Sequence, residues 1–266
     1  SYSNSRYYQA CPRAFYYRQD ARSELVTAGS GRSHSGSFVS TGALIGAIVH
    51  QCISAQLETW RDGNPTSMQE AESMAAELLE EILASDSQTI ATGQPIDRES
   101  MLGTARKHLR RVFRVIWPQI RGHQYIMHEE TVSFEVDGHT IWVRPDLCTR
   151  DPDGNLTVID WKTTSSDPFD RESIQLLVYG LWAYHAYEPD LSRIEVQLAH
   201  TADGNLESFP FGECEYQKIR EVIDQETTYW ATHDAPADYP PKPEGAMCEA
   251  CSYLDECEAG QEILSE

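Results

Sequence analysis

Apolar residues recur at helical spacing in three segments of the first half of the chain, at residues 42–60, 68–83 and 98–117. We expect the third helix to stop at Pro118, because proline lacks the backbone N–H that a helix interior needs. The second of these helices carries a row of glutamates on its outer face. The first half of the chain is therefore predicted to be a helical region.

Strand patterns dominate the second half. Residues 125–136 and 139–148 are predicted to be strands on either side of a tight Asp137-Gly138 turn. A β-hairpin is predicted next, at residues 144–164, around the turn-forming sequence D-P-D-G-N. Helices are predicted at residues 171–187 and 213–231, with strands between them at 193–201 and 206–211. The pattern thus predicts three successive antiparallel strands within a domain of mixed α and β structure.

Two carboxylates and a lysine converge on one face of the predicted hairpin. If the turn is centred on Asp153, antiparallel pairing sets Asp146 opposite Asp160, and strand alternation puts Lys162 on the same face. Facing carboxylates repel each other unless a divalent cation lies between them. Magnesium or manganese there can activate water and polarise a phosphate, while the lysine orients the nucleophile. The hairpin therefore indicates phosphodiester hydrolysis, with a surface hairpin of scattered charges as the alternative.

The composition is strongly acidic. The 266 residues include 42 acids against 21 bases, which gives a formal net charge of −21, and only four of the bases are lysines. This balance opposes non-specific binding to nucleic acid. It is typical of proteins from a halophilic host or its virus, and of acidic mesophile proteins. No apolar stretch is long enough to cross a membrane, so we expect a cytoplasmic protein without a membrane partner.

Two local basic features stand out against this acidity. Arg106, Arg110 and Arg114, here called the arginine stripe, recur at every fourth position of the third helix. They can pair with the acidic helix before them, or they can follow a phosphate backbone. Arg13 and Arg18 lie among N-terminal aromatic residues, which either stack on bases or pack together as a short helix.

The cysteines are grouped near the C-terminus. Cys248, Cys251 and Cys257 form a C-x2-C-x5-C pattern after a proline-rich connector at residues 235–247, while Cys11 stands alone at the other end. In an intracellular chain, such spacing indicates metal binding or ordinary burial before disulfides. Four cysteine ligands accommodate zinc or a 4Fe–4S cluster, and the spacing alone leaves both open.

Taken in order along the chain, these motifs resemble the RecB-like branch of the PD-(D/E)XK nucleases. The resemblance is nearest to the iron–sulfur exonucleases typified by the CRISPR-associated RecB-like family and the nuclease domain of AddB. Its motifs are the N-terminal S-x-S-x4-Y-x2-CPRxFYYR, Gly46-x3-His50, Pro145-Asp146, Asp160-Trp161-Lys162, Gln175-x3-Tyr179 and the final C-x2-C-x5-C. Tryptophan at position 161 departs from the commoner tyrosine.

The resemblance implies a role for each matching residue. His50, Asp146 and Asp160 would be metal ligands, with the carbonyl of Trp161 beside them. Lys162 would orient or activate the attacking water. Gln175 and Tyr179, which are counted among the catalytic residues, would lie on a helix beside the active site and shape the DNA path. From the residues alone, His50 is better explained as a histidine packed at the edge of a helix.

The resemblance also implies a fold. We expect an α/β, restriction-endonuclease-like core with a mixed β-sheet flanked by helices, an N-terminal helical region and a C-terminal cysteine cluster subdomain. The expected boundaries are 1–120 for the helical region, which contributes Cys11 and His50, and 121–233 for the nuclease core. Residues 234–266 would form the cluster segment and pack with the N-terminus.

The implied cofactors are magnesium or manganese at the hairpin and a 4Fe–4S cluster, favoured over zinc, on Cys11, Cys248, Cys251 and Cys257. The function implied is a metal-dependent DNA exonuclease that acts on single-stranded or frayed ends. One alternative is a DNA-processing subunit for CRISPR spacer acquisition, which would work with recombination or CRISPR adaptation proteins. Another is a non-catalytic DNA-binding or assembly module.

Overall fold

The computed structural model describes residues 2–19, 41–85, 97–165, 173–249 and 251–265. The chain divides into two compact units, one made of Ser1–Phe38 and Arg220–Glu266, the other of Val39–Ile219. The first is here called the terminal unit and the second the central unit. The boundaries expected at residues 120 and 233 stay a prediction.

The elements follow the predicted order closely. The helices are α1 (Tyr2–Ala10), α2 (residues 12–19), α3 (Thr41–Arg61), α4 (Met68–Ser85), α5 (Arg98–Arg111), α6 (Trp117–Ile120), α7 (Ile174–Ala186), α8 (Glu213–Thr232), α9 (Gly245–Glu249) and α10 (Glu258–Ser265). The strands are β1 (Gln124–Met127), β2 (Val132–Val136), β3 (His139–Val143), β4 (Leu147–Arg150), β5 (Leu156–Lys162), β6 (Ile194–His200) and β7 (Asn205–Pro210). The start predicted for the fourth helix, at residue 171, lies outside the described residues.

Pro118 does not end the third predicted helix, so that expectation was wrong. The Asp97 side chain caps α5 by accepting a hydrogen bond from the Ser100 N–H at 3.0 Å. After α5 the chain continues through a π-helical turn, Val112–Ile116, into α6. Pro118 therefore falls in the first turn of a new helical segment, where its missing N–H costs nothing.

The central unit is built on a five-stranded sheet in the order β1-β4-β5-β6-β7. The β5–β6 pair is parallel, and every other pair in this sheet is antiparallel. Ile159 and Trp161 of β5 pack against the core formed by α3, α4 and α5, whereas Asp160 contacts α7. Helices thus cover both faces, and the predicted fold class, a mixed sheet flanked by helices, is confirmed.

The expectation of three successive antiparallel strands leading into and including the hairpin was wrong. The stretch predicted as one strand at 125–136 breaks at Glu129, whose φ of 45° is left-handed. The next predicted strand breaks at Arg144-Pro145, so β2 and β3 leave the main sheet and pair only with each other. The Asp137-Gly138 turn between them formed as predicted, with φ of 49° and 81°.

The hairpin of β4 and β5 has the predicted register. Cys148 pairs with Val158 and Arg150 with Leu156. One step beyond the last ladder pair, Leu147 with Ile159, the chain brings Asp146 opposite Asp160. Strand β5 is buried on both faces and pairs with β6 along its whole length, and its two charged residues, Asp160 and Lys162, lie at its C-terminal end.

Helix α7 connects β5 to β6 and is buried along most of its length. Gly180 lies against the ring of Phe211, and a Cβ at this position would clash with that ring. The close packing fixes α7 on the sheet, and the bonds of Gln175 to Asp160 and Lys162 place its first turn next to the end of β5. Helix α7 therefore presents its first turns to the same strand end that carries Asp160 and Lys162.

The terminal unit has an aromatic core formed by both ends of the chain. Phe15 and Trp230 lie with ring centroids 4.7 Å apart, and Tyr8 meets Trp230 edge to face at 5.7 Å. Ser5 Oγ donates to Glu226 at 2.8 Å, and Arg13 Nε donates to the Tyr239 carbonyl at 2.8 Å. In the part of the chain that is described, no helix is long and apolar enough to span a bilayer.

Candidate active site

His50 reaches the hairpin because α3 passes close to the end of β5. Gly46, one turn before His50, lies so near Thr163 that a Cβ would come within 3.1 Å of its hydroxyl oxygen. The Nδ1 atom of His50 is 3.9 Å from Asp146 Oδ2. Burial lowers the pKa of His50, and the charges of Asp160 and Glu129 only partly oppose that shift. The imidazole is therefore neutral at physiological pH, as metal ligation requires.

The hairpin carboxylates and lysine converge on one face of β5 and the segment before β4. Asp146 Oδ2 accepts a hydrogen bond from the Trp161 N–H at 2.8 Å. Lys162 Nζ lies 2.7 Å from Asp160 Oδ2, and Asp160 is only 2% exposed. The Trp161 side chain points into the opposite core, as strand alternation predicted.

The proximity of two buried acids is electrostatically costly. Burial raises the pKa of Asp146 to about 7, and the negative charge of Asp160 adds to the rise. A divalent cation placed against both carboxylates would offset this cost. Carboxylate oxygens are ligands that suit magnesium or manganese, whereas an imidazole nitrogen suits transition metals more than it suits magnesium. The residues present therefore fit the cation that the sequence indicated.

Gln175 links the lysine, the acid and the tyrosine. Its Oε1 accepts from Lys162 Nζ at 2.9 Å, and its Nε2 donates to Asp160 Oδ1 at 2.8 Å and to the Tyr179 hydroxyl at 2.9 Å. The Tyr179 hydroxyl in turn donates to the Arg144 carbonyl at 2.9 Å. Gln175 thus contacts the acid and the lysine directly, Tyr179 contacts Gln175, and this network fixes the orientation of Lys162.

A third carboxylate, which sequence reasoning missed, faces this site. Glu129 lines an open cleft of about 670 Å³ together with His50, Glu58, Arg144 and Asp146. Its charge raises the pKa of both His50 and Asp146. The Arg144 guanidinium holds it by donating to its carbonyl at 3.0 Å and its carboxylate at 2.9 Å. The only signal in the sequence was an interruption of strand alternation at the paired glutamates 129 and 130.

No three His, Cys, Asp or Glu side chains of the described residues surround a single point in the manner of metal ligands. In the central unit, Lys162 and Gln175 occupy the oxygens of Asp160, and the Trp161 N–H occupies Asp146. Binding of a cation would therefore exchange some of these hydrogen bonds for metal–oxygen contacts.

In the terminal unit, Cys11, Cys248, Cys251 and Cys257 line one cavity. Burial raises the pKa of the Cys251 thiol, and the other three cysteines are near enough to raise it further. Gly260 borders this cavity, because a Cβ there would be in ordinary contact, at 3.6 Å, with the sulfurs of both Cys248 and Cys257. Four cysteines around one cavity fit either zinc or an iron–sulfur cluster.

The arginine stripe is only partly paired with the acidic helix. Arg110 donates to both carboxylate oxygens of Glu72 on α4, at 2.7 and 3.2 Å. Arg114 is exposed, and the Nε of Arg106 is buried without a hydrogen-bond partner among the described residues. In the terminal unit, Arg18 lies over the Tyr7 ring at 4.4 Å. The stripe therefore has a member paired with α4 at its centre and an exposed arginine at its end. The hydrogen bond from Arg110 lowers the pKa of Glu72, and the charges of Arg106 and Arg114 also help to lower it.

A family model described as the PD-(D/E)XK nuclease superfamily matches residues 1–258. No curated protein matches the chain. A solved structure titled "Crystal structure of SSO0001" is similar, with 15% identity and a TM-score of 0.33. That similarity covers 92% of this chain and 95% of the other.

Proposed function

The chain belongs to the PD-(D/E)XK nuclease superfamily, and we propose that it is a metal-dependent DNA exonuclease acting on single-stranded or frayed ends. The observation that carries this proposal is the convergence of His50, Asp146, Asp160 and Lys162 at one end of the hairpin. Superfamily members hydrolyse phosphodiester bonds with divalent cations. A non-catalytic DNA-binding module would have no need for this set of side chains.

The proposed metal ligands are His50, Asp146 and Asp160, with the Trp161 carbonyl beside them. A magnesium or manganese ion held there would supply an acidified water and polarise the scissile phosphate. Lys162, held by Asp160 and Gln175, positions its ammonium to orient that water and offset developing negative charge. Gln175 and Tyr179 keep the lysine in place along the DNA path. Glu129 adds a further carboxylate toward the cleft.

The proposed second cofactor is a 4Fe–4S cluster on Cys11, Cys248, Cys251 and Cys257. Support comes from the shared cavity of these cysteines and from the resemblance of the sequence motifs to iron–sulfur exonucleases. The cluster would tie the two ends of the chain together within the terminal unit, so its role is structural. It would also keep the nearby N-terminal arginines, Arg13 and Arg18, in a defined position for DNA.

A requirement for a free end tests the exonuclease proposal directly. With manganese, the purified chain is expected to degrade linear single-stranded DNA and to leave circular single-stranded DNA of the same sequence intact. End-labelled substrates analysed over time would show whether products appear from one terminus. Cleavage of the circle at a similar rate would make the protein an endonuclease. Activity seen only after adding recombination or CRISPR adaptation proteins would make it a dependent subunit.

We also propose that the arginine stripe contacts DNA phosphates despite the acidic surface. Each phosphate contact on a single strand contributes about 0.7 to the slope of log affinity against log salt. Replacing Arg106, Arg110 and Arg114 by glutamine is therefore expected to flatten the slope by at most about two units, measured by fluorescence anisotropy. Arg110 contributes least to this change, because Glu72 already neutralises it.

The matched control for the stripe is Arg98→Gln on the same helix. Arg98 also pairs with a glutamate of α4, Glu80, at 3.1 Å, so its loss changes the net charge without removing a stripe residue. The slope of this variant should stay close to that of the wild type. If the triple variant has the same salt slope as the wild type, the arginine stripe serves helix packing instead of DNA binding.

A further inference from the structure

Two hydrogen bonds from Thr201 converge on the main chain of Lys162. Thr201 follows β6 directly, and its N–H donates to the Lys162 carbonyl at 2.7 Å. Its hydroxyl donates to the same carbonyl at 3.1 Å. Thr201 is completely buried, so water does not compete for either bond. The residue that ends β5 and carries the catalytic ammonium is thus held at its backbone from the neighbouring strand.

His108 fixes the Thr201 hydroxyl in turn. Its Nδ1 lies 2.8 Å from Thr201 Oγ1, and the ring is 7% exposed. A hydroxyl has one proton, and Thr201 gives it to the Lys162 carbonyl, so the Nδ1 of His108 must be the donor in the second bond. Burial and the nearby Arg111 lower the pKa of His108, which favours the neutral ring. The result is a directed chain of hydrogen bonds from α5 to Lys162.

The Lys162 side chain begins where this chain ends. Its Nζ must reach Asp160 Oδ2 at 2.7 Å and Gln175 Oε1 at 2.9 Å, and β5 ends at this residue. Residues 163–165 form no strand or helix, and 166–172 lie outside the described residues. The ladder with β6 and the bonds from Thr201 therefore define the backbone from which the ammonium extends.

We propose that Thr201, oriented by His108, is a positioning residue for Lys162. The inference rests on the proposed nuclease function, since it assigns Thr201 to the reaction only through Lys162. Displacing a reacting group by about 1 Å can cost about a hundredfold in rate, so a loosened backbone at Lys162 would lower kcat. Substrate affinity would not change, because neither Thr201 nor His108 is accessible to DNA.

The same unit contains a matched control pair. His123 Nδ1 lies 3.0 Å from the hydroxyl of Thr149, and Thr149 is also completely buried. Thr149 is on β4 opposite Thr157, five residues before Lys162 along β5. Thr149→Val therefore removes a similar, though only partly buried, histidine–threonine bond without touching the reaction centre.

Thr201→Val and Thr149→Val are expected to lose similar stability, measured by urea unfolding. Only Thr201→Val should lower kcat, by about tenfold or more, with KM within about twofold of the wild type. Thr201→Ser keeps the hydroxyl and should restore kcat. Equal kcat in the two valine variants, with Lys162→Ala inactive, would overturn the positioning role alone. If Thr201→Val does not fold, His108→Gln tests the same chain.

A readout independent of turnover separates this inference from the proposed function. Only four lysines are present, so acylation of Lys162 by an amine-reactive reagent can be followed by mass spectrometry. Thr201→Val should change the acylation rate of Lys162 at least about threefold relative to Lys218, whereas Thr149→Val should not. An unchanged rate overturns the positioning role even where no cleavage is measured. If Thr201→Val changes the acylation rate of Lys162 but the wild-type protein does not cleave DNA, only the nuclease assignment is removed.

Discussion

Replacing Lys162 by alanine, or Asp160 by asparagine, is expected to reduce cleavage by at least about a hundredfold to a thousandfold. Lys162 supplies the ammonium beside the proposed cation, and Asp160, one of the proposed ligands, holds that ammonium at 2.7 Å. Asparagine keeps the shape of Asp160 but removes the charge that a cation requires. Initial rates on labelled single-stranded DNA with saturating manganese would measure the loss.

DNA binding and folding should survive these substitutions, because Lys162 is partly exposed and Asp160 keeps its Gln175 contact as an amide. Lys218→Ala is the charge-matched control, since Lys218 is exposed on α8. This variant should cleave like the wild type. A chelator should reproduce the loss seen for Asp160→Asn. Normal cleavage by both site variants would exclude the hairpin as the active site.

The hairpin could be predicted from the sequence because its determinants are local. Turn-forming residues fix the loop, β-branched residues fix the strands, and a side-chain period of two then fixes which residues share a face. The observed pairing of Cys148 with Val158 follows from these rules alone. Asp160 and Lys162 were therefore brought together correctly before any tertiary information was used.

Glu129 could not be predicted, because its position depends on a backbone break. Residues 125–136 have the composition of one strand, yet the left-handed φ at Glu129 divides them between two sheets. The break is stabilised by tertiary contacts, including the Glu129 N–H bond to the Pro145 carbonyl at 2.9 Å and the Arg144 guanidinium. Periodicity contains no information about such contacts between distant residues.

His50 illustrates a different limit of sequence reasoning. A histidine at the edge of an apolar helical stripe is consistent with packing as well as with metal binding. Its approach to Asp146 depends on the packing of α3 against the end of β5, which the small Gly46 permits. Only the family resemblance indicated a ligand role, since the geometry arises from two elements far apart in the chain.

Replacing Cys11 by serine is expected to remove most of the iron and sulfide from the protein and to destabilise it by at least about 2 kcal/mol. Its three partner cysteines lie more than two hundred residues away, yet they line the same cavity as Cys11. Without its fourth ligand the proposed cluster would lose its link between the chain ends, and the aromatic core of the terminal unit would then depend on side-chain packing alone. Iron and sulfide analysis together with urea unfolding would measure both effects.

Cys214→Ser is the matched control, because Cys214 is exposed on α8 and does not line the cysteine cavity. Its iron content and unfolding midpoint should equal those of the wild type. If the wild-type protein contains about one zinc per chain and no iron or sulfide, the cysteine site binds zinc instead of the proposed cluster. The proposal for the hairpin would be unaffected. Full iron content in Cys11→Ser would show that this cysteine is not a ligand.

Since burial raises the pKa of the Cys251 thiol, metal uptake must release protons, so affinity for iron or zinc should rise with pH.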